Sequence, residues 1–197
     1  MAEAHEEMEH AEHAEHAAGS NKKIALVIAI MALFLAFSET LGKSANTEAL
    51  NANIRASDMW AFFQAKNIRR TTLTTAAETK KVDAITVNDG GAKAALAKQI
   101  EEWEKTAARY RSEPETREGT TELMERAQEA ERERDTALAR YHHYEIASAA
   151  FQIGIVLCSA AVITSTIWLA WIASGIAALG IVVMALGLFA PFALHLG

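Results

Sequence analysis

The chain has 197 residues, a net charge of -6 and a single cysteine, Cys158. The acidic balance argues against a nucleic-acid partner, and one thiol excludes an intramolecular disulfide. Hydrophobic residues make up 51% of the chain, and they are concentrated in two blocks rather than spread along a globular pattern. We therefore expect an all-α membrane protein with three transmembrane helices.

The N-terminal tail, residues 1–21, is acidic and rich in His and Glu. Its EHA repeat places His10, His13 and His16 at steps of three. In a helical tail, two of these imidazoles and a carboxylate could bind zinc, copper or nickel. The composition is also that of a solvated, partly disordered tail without metal. A divalent metal at these three histidines is the one cofactor that the sequence suggests.

The first predicted span covers residues 22–43, although its apolar part is short for a bilayer core. Glu39 lies near the end of this span, one helical turn before Lys43. That spacing favours an ion pair at the level of the lipid headgroups. An ionisable group within a span is alternatively a candidate for a cation or proton path. Glu39 is thus the intramembrane charge that the sequence singles out.

The middle region, residues 44–145, is polar and rich in Ala, Glu and Arg. Two breaks, VNDGG and SEPETREG, predict three helices, over about 45–81, over 92–111, and from 120 directly into the second span. The threonine-rich end of the first helix should be weak, because β-branched residues are poor helix formers. We expect a long extramembrane, coiled-coil-like helical insertion between spans one and two.

The last apolar block contains no Asp, Glu, Lys or Arg from Ile146 to the C-terminus. It is long enough for two spans joined by a short turn, which we place at residues 146–167 and 168–194.

Small residues recur at coiled-coil spacing in several helices, and helices in lipid associate where small residues let backbones approach. In span one these residues are Ala25, Ala29, Ala32 and Ala36, and in span two they are Ala147, Ala150, Gly154, Cys158 and Ala161. A similar row precedes span two at Leu123, Ala127, Ala130, Arg134, Ala137, Tyr141 and Tyr144. We expect the faces of spans one and two to pack against each other, unless alanine is simply frequent here.

The stretch NIRASDMWAFFQAKNIRR, residues 53–70, places aromatic side chains between basic ones. We interpret it as a joint at which the first stalk helix packs against the others or against a second subunit; lipid contact and ligand binding are the alternatives. The arginines at 55, 69 and 70 should pair with glutamates at 101–104 or 125–133. The predicted interaction residues are Asp58, Trp60, Phe63, Gln64, Lys66, Arg69, Tyr141 and Tyr144.

This stretch, the later SEPETREGTTELMERAQEAERERDTALARYHHYEIASAAFQIGIVL and the Ala-rich first span together resemble the bacterial membrane-protein family called domain of unknown function 4337. The resemblance covers about 24–190, and its most specific part is the pattern of Asp58, Trp60, Gln64, Ala65 and Lys66. It implies three spans with a helical insertion and supplies no activity. The resemblance implies basic residues, which relatives often have, at the turn between spans two and three. This chain departs from that pattern with ITSTIWLAW, which removes the charge that would have fixed the topology.

Basic residues near the spans are more numerous on the stalk side, so the positive-inside rule predicts a cytoplasmic stalk and a periplasmic tail in the bacterial inner membrane. We expect a non-enzymatic scaffold or an accessory or assembly subunit. Its partners would be membrane lipid, copies of itself or other subunits of a membrane complex. The alternative is a homo-oligomeric pore or transport component for a small cation or proton, with Glu39 near the path.

Overall fold

The structure, a computed structural model, describes the backbone of residues 2–193 and the side chains of residues 22–193. This part of the chain forms four helices and no strand: α1 (Ala2–Thr86), α2 (Gly90–Arg111), α3 (Thr120–Thr164) and α4 (Ile167–Phe189). The predicted all-α class is confirmed. Three segments, Lys22–Thr86 of α1, all of α3 and all of α4, are long and apolar enough to cross a membrane.

The helix ends follow local chemistry. Asp89 begins α2, since its carboxylate accepts hydrogen bonds from the backbone N–H groups of Gly91 and Ala92 at 2.7 and 3.2 Å. Ser165, with a φ of 53°, makes the tight turn between α3 and α4. The last helix ends two residues before Pro191, which cannot continue it.

The three helices predicted for the middle region are present, but the first extends to Thr86 rather than ending near residue 81. Its threonines remain helical because their hydroxyls donate to carbonyl oxygens four residues earlier. Thr71, Thr72, Thr74 and Thr79 make such bonds at 2.9 to 3.0 Å.

The chain divides into two compact units. We call Met1–Glu48 together with Thr136–Gly197 the bundle unit, and Ala49–Asp135 the inserted unit. In the bundle unit, Phe34 of α1 stacks on Phe151 of α3 with ring centroids 5.8 Å apart. The remaining core is mostly small and aliphatic: Ile24, Met31, Ala147, Cys158, Ala161, Ala173 and Ala177.

One of the two faces predicted to pack within the bundle unit is confirmed and the other is wrong. Ala147, Gly154, Cys158 and Ala161 of α3 are buried and Ala150 is half-buried, as predicted. The face of Ala25, Ala29, Ala32 and Ala36 on α1 is exposed, and α1 instead buries Ile24, Met31 and Ser38. The face of α1 that packs is the one whose side chains fill the space beside the small residues of α3. A Cβ added at Gly154 would lie 3.0 Å from Met31 Sδ, so a large side chain of α1 fills the space left by a small residue of α3.

In the inserted unit, the buried residues occupy positions of a pattern with alternating steps of three and four, although not every position of the pattern is buried. On α1 these are Ala49, Ala52, Ala56, Lys66 and Ala77, on α2 they are Ile100 and Ala107, and on α3 they are Leu123, Ala127 and Ala130. The predicted row on α3 is confirmed as a packed face, since Ala137 and Tyr144 are also buried and Arg134 and Tyr141 are half-buried. The interior of the inserted unit is therefore thin and contains one charged residue, Lys66.

Candidate helix joint in the inserted unit

Trp60 links α1 to α3. Its indole Nε1 donates a hydrogen bond to Glu131 Oε1 at 2.9 Å, and the Phe63 ring lies edge-on to it with centroids 5.4 Å apart. Arg55, one and a half turns earlier on α1, pairs with Glu133 of α3, which confirms the predicted arginine contact with the glutamates at 125–133. These contacts combine an apolar ring with charged ends, so they fix the distance and the rotation between the two helices.

Lys66 is the charged centre of the joint and is only 6% exposed. Its ammonium lies 3.4 Å from Glu113 Oε2 and 3.5 Å from Glu118 Oε2, both in the loop between α2 and α3. The rings of Phe62 and Tyr110 lie below the same nitrogen, with centroids 5.4 and 5.7 Å away. A buried ammonium is stable only when paired, and here two carboxylates and two aromatic faces share the charge. The loop is thereby fastened to α1.

Glu122, in the first turn of α3, closes the same loop. Its carboxylate accepts a hydrogen bond from the Ser112 hydroxyl at 2.6 Å and from the backbone N–H of Glu113 at 3.3 Å. The Ser112 hydrogen bond lowers the pKa of Glu122 below its ordinary value. Gly119 lets the end of the loop approach the backbone at its beginning. A Cβ at position 119 would lie 2.6 Å from the Glu113 nitrogen and 2.7 Å from Ser112 Cα.

The structure brings only some of the predicted interaction residues together. Trp60, Phe63 and Lys66 belong to the joint, whereas Asp58, Gln64 and Arg69 are exposed. The expected pairing of the other two arginines with glutamates is wrong for the described residues. Arg69 makes no ion pair there. Arg70 lines a cleft with Ala107, Ala108 and Arg111 of α2, where no glutamate is present, and it donates to Asn67 Oδ1 of its own helix at 2.9 Å.

The two predicted tyrosines lie in the bundle unit instead. Tyr144 is 3% exposed, and its backbone carbonyl accepts a hydrogen bond from Ser38 Oγ at 2.8 Å. Tyr141 is half-buried, with its ring 5.6 Å from that of His142. Both tyrosines contact Gly42 of α1, where a Cβ would lie 3.5 Å from Tyr144 Cβ and 4.0 Å from the Tyr141 ring. They therefore pack α3 on α1.

Sequence reasoning missed the partners of Lys66, namely Phe62, Tyr110, Glu113 and Glu118. The sequence does contain a pattern that indicates that Lys66 is buried. Counting alternating steps of three and four from Ala45 through Ala49, Ala52 and Ala56 reaches Lys66, so a lysine occupies a buried position of the heptad pattern. Such a lysine requires acidic partners, and the glutamate-rich break SEPETREG is the nearest interruption of the helices that could supply them.

The other predicted sites lie away from the joint. Glu39 is exposed in the bundle unit, with Oε1 3.5 Å from Gln152 Nε2 of α3. Its predicted ion pair with Lys43 is not among the ion pairs of the described side chains, because its carboxylate turns toward Gln152. The side chains of His10, His13 and His16 lie outside the described residues, so the metal site stays a prediction. Residues 22–193 themselves hold no group of three potential metal ligands.

Comparison with known proteins gives one match. The family described as "Domain of unknown function (DUF4337)" matches residues 20–190. No curated protein and no solved structure matches the chain.

Proposed function

The chain belongs to the DUF4337 family, and because the function of that family is unknown, we propose a function from the residues of this chain. The protein is a non-enzymatic, integral protein of the bacterial inner membrane. Its inserted unit acts as an oligomeric scaffold, or as an accessory or assembly subunit of a larger membrane complex.

The observation that carries this proposal is the pairing of Lys66. A buried lysine is a candidate for chemistry when it is free, but this one is held by Glu113 and Glu118 at 3.4 and 3.5 Å. The same use of polar groups recurs along the unit, where Trp60 donates to Glu131 and Lys81 pairs with Glu104. Polar side chains that bond between helices fix the positions of those helices relative to one another. A rigid helical unit of this kind is suited to binding partner proteins.

The bundle unit supports the membrane location. Its outward side chains include Leu33, Phe37, Ile163 and Trp171, all more than half exposed. An exposed apolar surface of this extent is stable in lipid rather than in water. In our proposal residues 22–43, 146–167 and 168–194 cross the bilayer, residues 44–145 lie in the cytoplasm, and the tail lies in the periplasm.

The test is the composition and mass of the complex extracted from its native membrane in mild detergent. We expect either several copies of this chain or a fixed ratio to other membrane subunits. Wild type should be compared with Lys66→Ala, which loosens the joint, and with the matched Lys98→Ala on the exposed face of α2. Loss of partners in the first variant alone supports a role for the joint in assembly. A wild-type chain that is monomeric and free of other proteins would contradict the proposal.

A pore for a small cation or proton is a second candidate, and the exposed pair of Glu39 and Gln152 favours it. A carboxylate and an amide on a mostly apolar surface require cover in lipid, and a lumen between copies would supply water. Ion flux into vesicles containing the purified protein should then fall in Glu39→Gln and stay unchanged in Glu48→Gln, an exposed carboxylate of the same helix. Equal flux in all three proteins, or none in wild type, would remove this candidate.

A further inference from the structure

The outer face of α1 in the inserted unit has a second row of residues at coiled-coil spacing. Its members follow steps of four and three, and all are exposed: Ala61, Ala65, Ile68, Thr72, Thr75, Thr79, Val82 and Thr86. Ile68 and Val82 are 66% and 65% exposed, although their side chains are apolar. We call this row the outer face. It extends over nearly four heptads, a length that indicates a coiled-coil contact.

The outer face contains no charged residue, which sets it apart from the exposed faces of the neighbouring helices. α2 exposes Lys98, Glu101 and Lys105, and α3 exposes Glu125 and Glu129. An exposed helix face in water normally carries such charges. A face without charges has no group that could pair with a nucleic acid, an acidic peptide or a lipid headgroup. Its expected partner is therefore another uncharged helix face.

Two threonines of the outer face, Thr72 and Thr79, already have partners for their hydroxyl groups. The Thr72 hydroxyl donates to the Ile68 carbonyl at 2.9 Å, and the Thr79 hydroxyl donates to the Thr75 carbonyl at the same distance. Burying a hydroxyl is costly chiefly when its donor loses its partner. These donors keep their partners inside the helix, so another chain could cover them without leaving a hydrogen bond unmade.

The helix also requires more support than one packed face provides. Thr71, Thr72, Thr74 and Thr75 lie close together, and threonine is a poor helix former. Most helix stability in proteins comes from packing. Along this stretch Leu73 is half-buried and Ala77 is fully buried.

We infer that the outer face binds the outer face of a second copy of this chain. The partner must supply an uncharged row of the same spacing and length. Within the described part of the inserted unit, only the exposed side of α1 supplies such a row, as the outer face or as the row from Leu50 to Thr75 that shares Ala61, Ile68 and Thr75 with it. The inference rests on the proposed function, because anchoring in one membrane holds copies at the same height and at high local concentration. Equivalent residues then meet, Ile68 with Ile68 and Thr72 with Thr72.

The experiment measures the mass of the full-length chain in mild detergent for wild type, Ala65→Glu and Ala95→Glu. Both variants place one carboxylate at an exposed alanine of a helix, but only the first lies on the outer face. Like charges brought together at an interface oppose association, so Ala65→Glu should weaken self-association by about a hundredfold. Ala95→Glu should behave as wild type. Circular dichroism of both variants tests whether the helices are retained.

A second measurement does not depend on disrupting the contact. In a Cys158→Ala background, isolated native membranes are treated with copper phenanthroline, which catalyses oxidation of paired thiols by oxygen. Thr72→Cys should then form disulfide-linked dimers, whereas Ala95→Cys should not. Self-association that survives Ala65→Glu, with no cross-link at position 72, would overturn the inference and leave an oligomeric scaffold standing. A wild-type monomer that co-purifies with other membrane subunits would also overturn it and leave the accessory role standing. A monomer without partners would overturn both.

Discussion

Charged and aromatic side chains of the inserted unit bond across to another helix or to the loop at 112–119, whereas polar side chains of the bundle unit mostly bond within their own helix. Hydroxyl groups bond within their own helix in both units. Ser159, Thr164 and Ser174 each donate to a carbonyl four residues earlier at 2.8 to 2.9 Å. In the inserted unit, Trp60 bonds to Glu131 on α3, and Lys66 pairs with the loop beyond α2. Both units use small residues at the same spacing, so the difference lies in how polar groups are used.

The difference reflects the solvent that each unit suits. In lipid an unpaired donor is costly, and a hydroxyl bonded within its own helix leaves none exposed. Helices there approach through small residues, as at Gly180, where a Cβ would lie 3.2 Å from Ala150 Cβ. In water the alanine seam of the inserted unit buries little apolar area, and charged and aromatic contacts supply the specificity that the seam lacks.

The largest predicted effect is at the charged centre of the joint. Lys66→Ala leaves Glu113 and Glu118 without their counter-charge and removes packing against Phe62 and Tyr110. We expect it to lower the free energy of opening of the loop at 112–119 by about 2 to 3 kcal/mol, less than for a fully buried pair because the glutamates are partly exposed. Hydrogen exchange of the loop amides measures this.

Lys66→Met is the matched control, because it keeps the length and packing of the side chain without its charge. Because it leaves the same two glutamates without their counter-charge, we expect a loss of about 1 to 2 kcal/mol, smaller than that of Lys66→Ala by the packing that the methionine keeps. An equal effect of both variants would mean that the charge is the essential feature. No effect of either would remove Lys66 from the joint.

The next effect concerns close packing in the bundle unit. A Cβ at Gly187 would lie 2.8 Å from His143 Cβ, whereas one at Gly175 would meet nothing within 4 Å. Gly187→Ala should therefore destabilise the bundle by about 1 to 2 kcal/mol, and Gly175→Ala should be neutral or stabilising by up to about 1 kcal/mol. Loss of helix on heating in detergent, followed by circular dichroism, compares them. Equal melting of the two variants would contradict close packing of α4 on α3.

The smallest effect depends on pH. The Ser112 hydroxyl lowers the pKa of Glu122 in the folded chain, so its stabilising contribution is complete above the ordinary carboxyl pKa. It should be lost as the pH falls through the lowered folded value. After correction for intrinsic exchange, the loop amides should gain exchange in acid in wild type and not in Glu122→Gln, which keeps the acceptor oxygen. Identical acid profiles would exclude this contribution.

The sequence predicted the helices well because their breaks are chemically explicit. Asp89 and the glycines after it begin α2, and the charge-free block beginning at Ile146 indicates spans. The packed face of α3 was predicted correctly because buried residues repeat at the same spacing along the helix. The alanine face of span one was wrong because spacing alone does not reveal volume, and Gly154 requires Met31 opposite it rather than another small residue.

The joint was predicted only in part. The aromatic stretch identified Trp60 and Phe63, but the acidic partners of Lys66 lie about 50 residues further along the chain and depend on where α1 meets α2. Periodicity fixes the face of a helix and leaves the axial register of two helices open. That register decides whether Glu113 or another glutamate reaches the lysine.

The most direct test of the account compares Leu33 with Leu50. Both are leucines of α1, and they are equally exposed in the chain, at 56% and 57%. In our proposal Leu33 lies in lipid and Leu50 lies in water. In a Cys158→Ala background, membrane fragments that keep their bilayer but expose both faces should be treated with a charged maleimide that does not enter lipid. We predict that Leu50→Cys is labelled and Leu33→Cys is not, until detergent and denaturant expose it. Equal labelling of both in intact membranes would contradict the division into a lipid unit and a water unit.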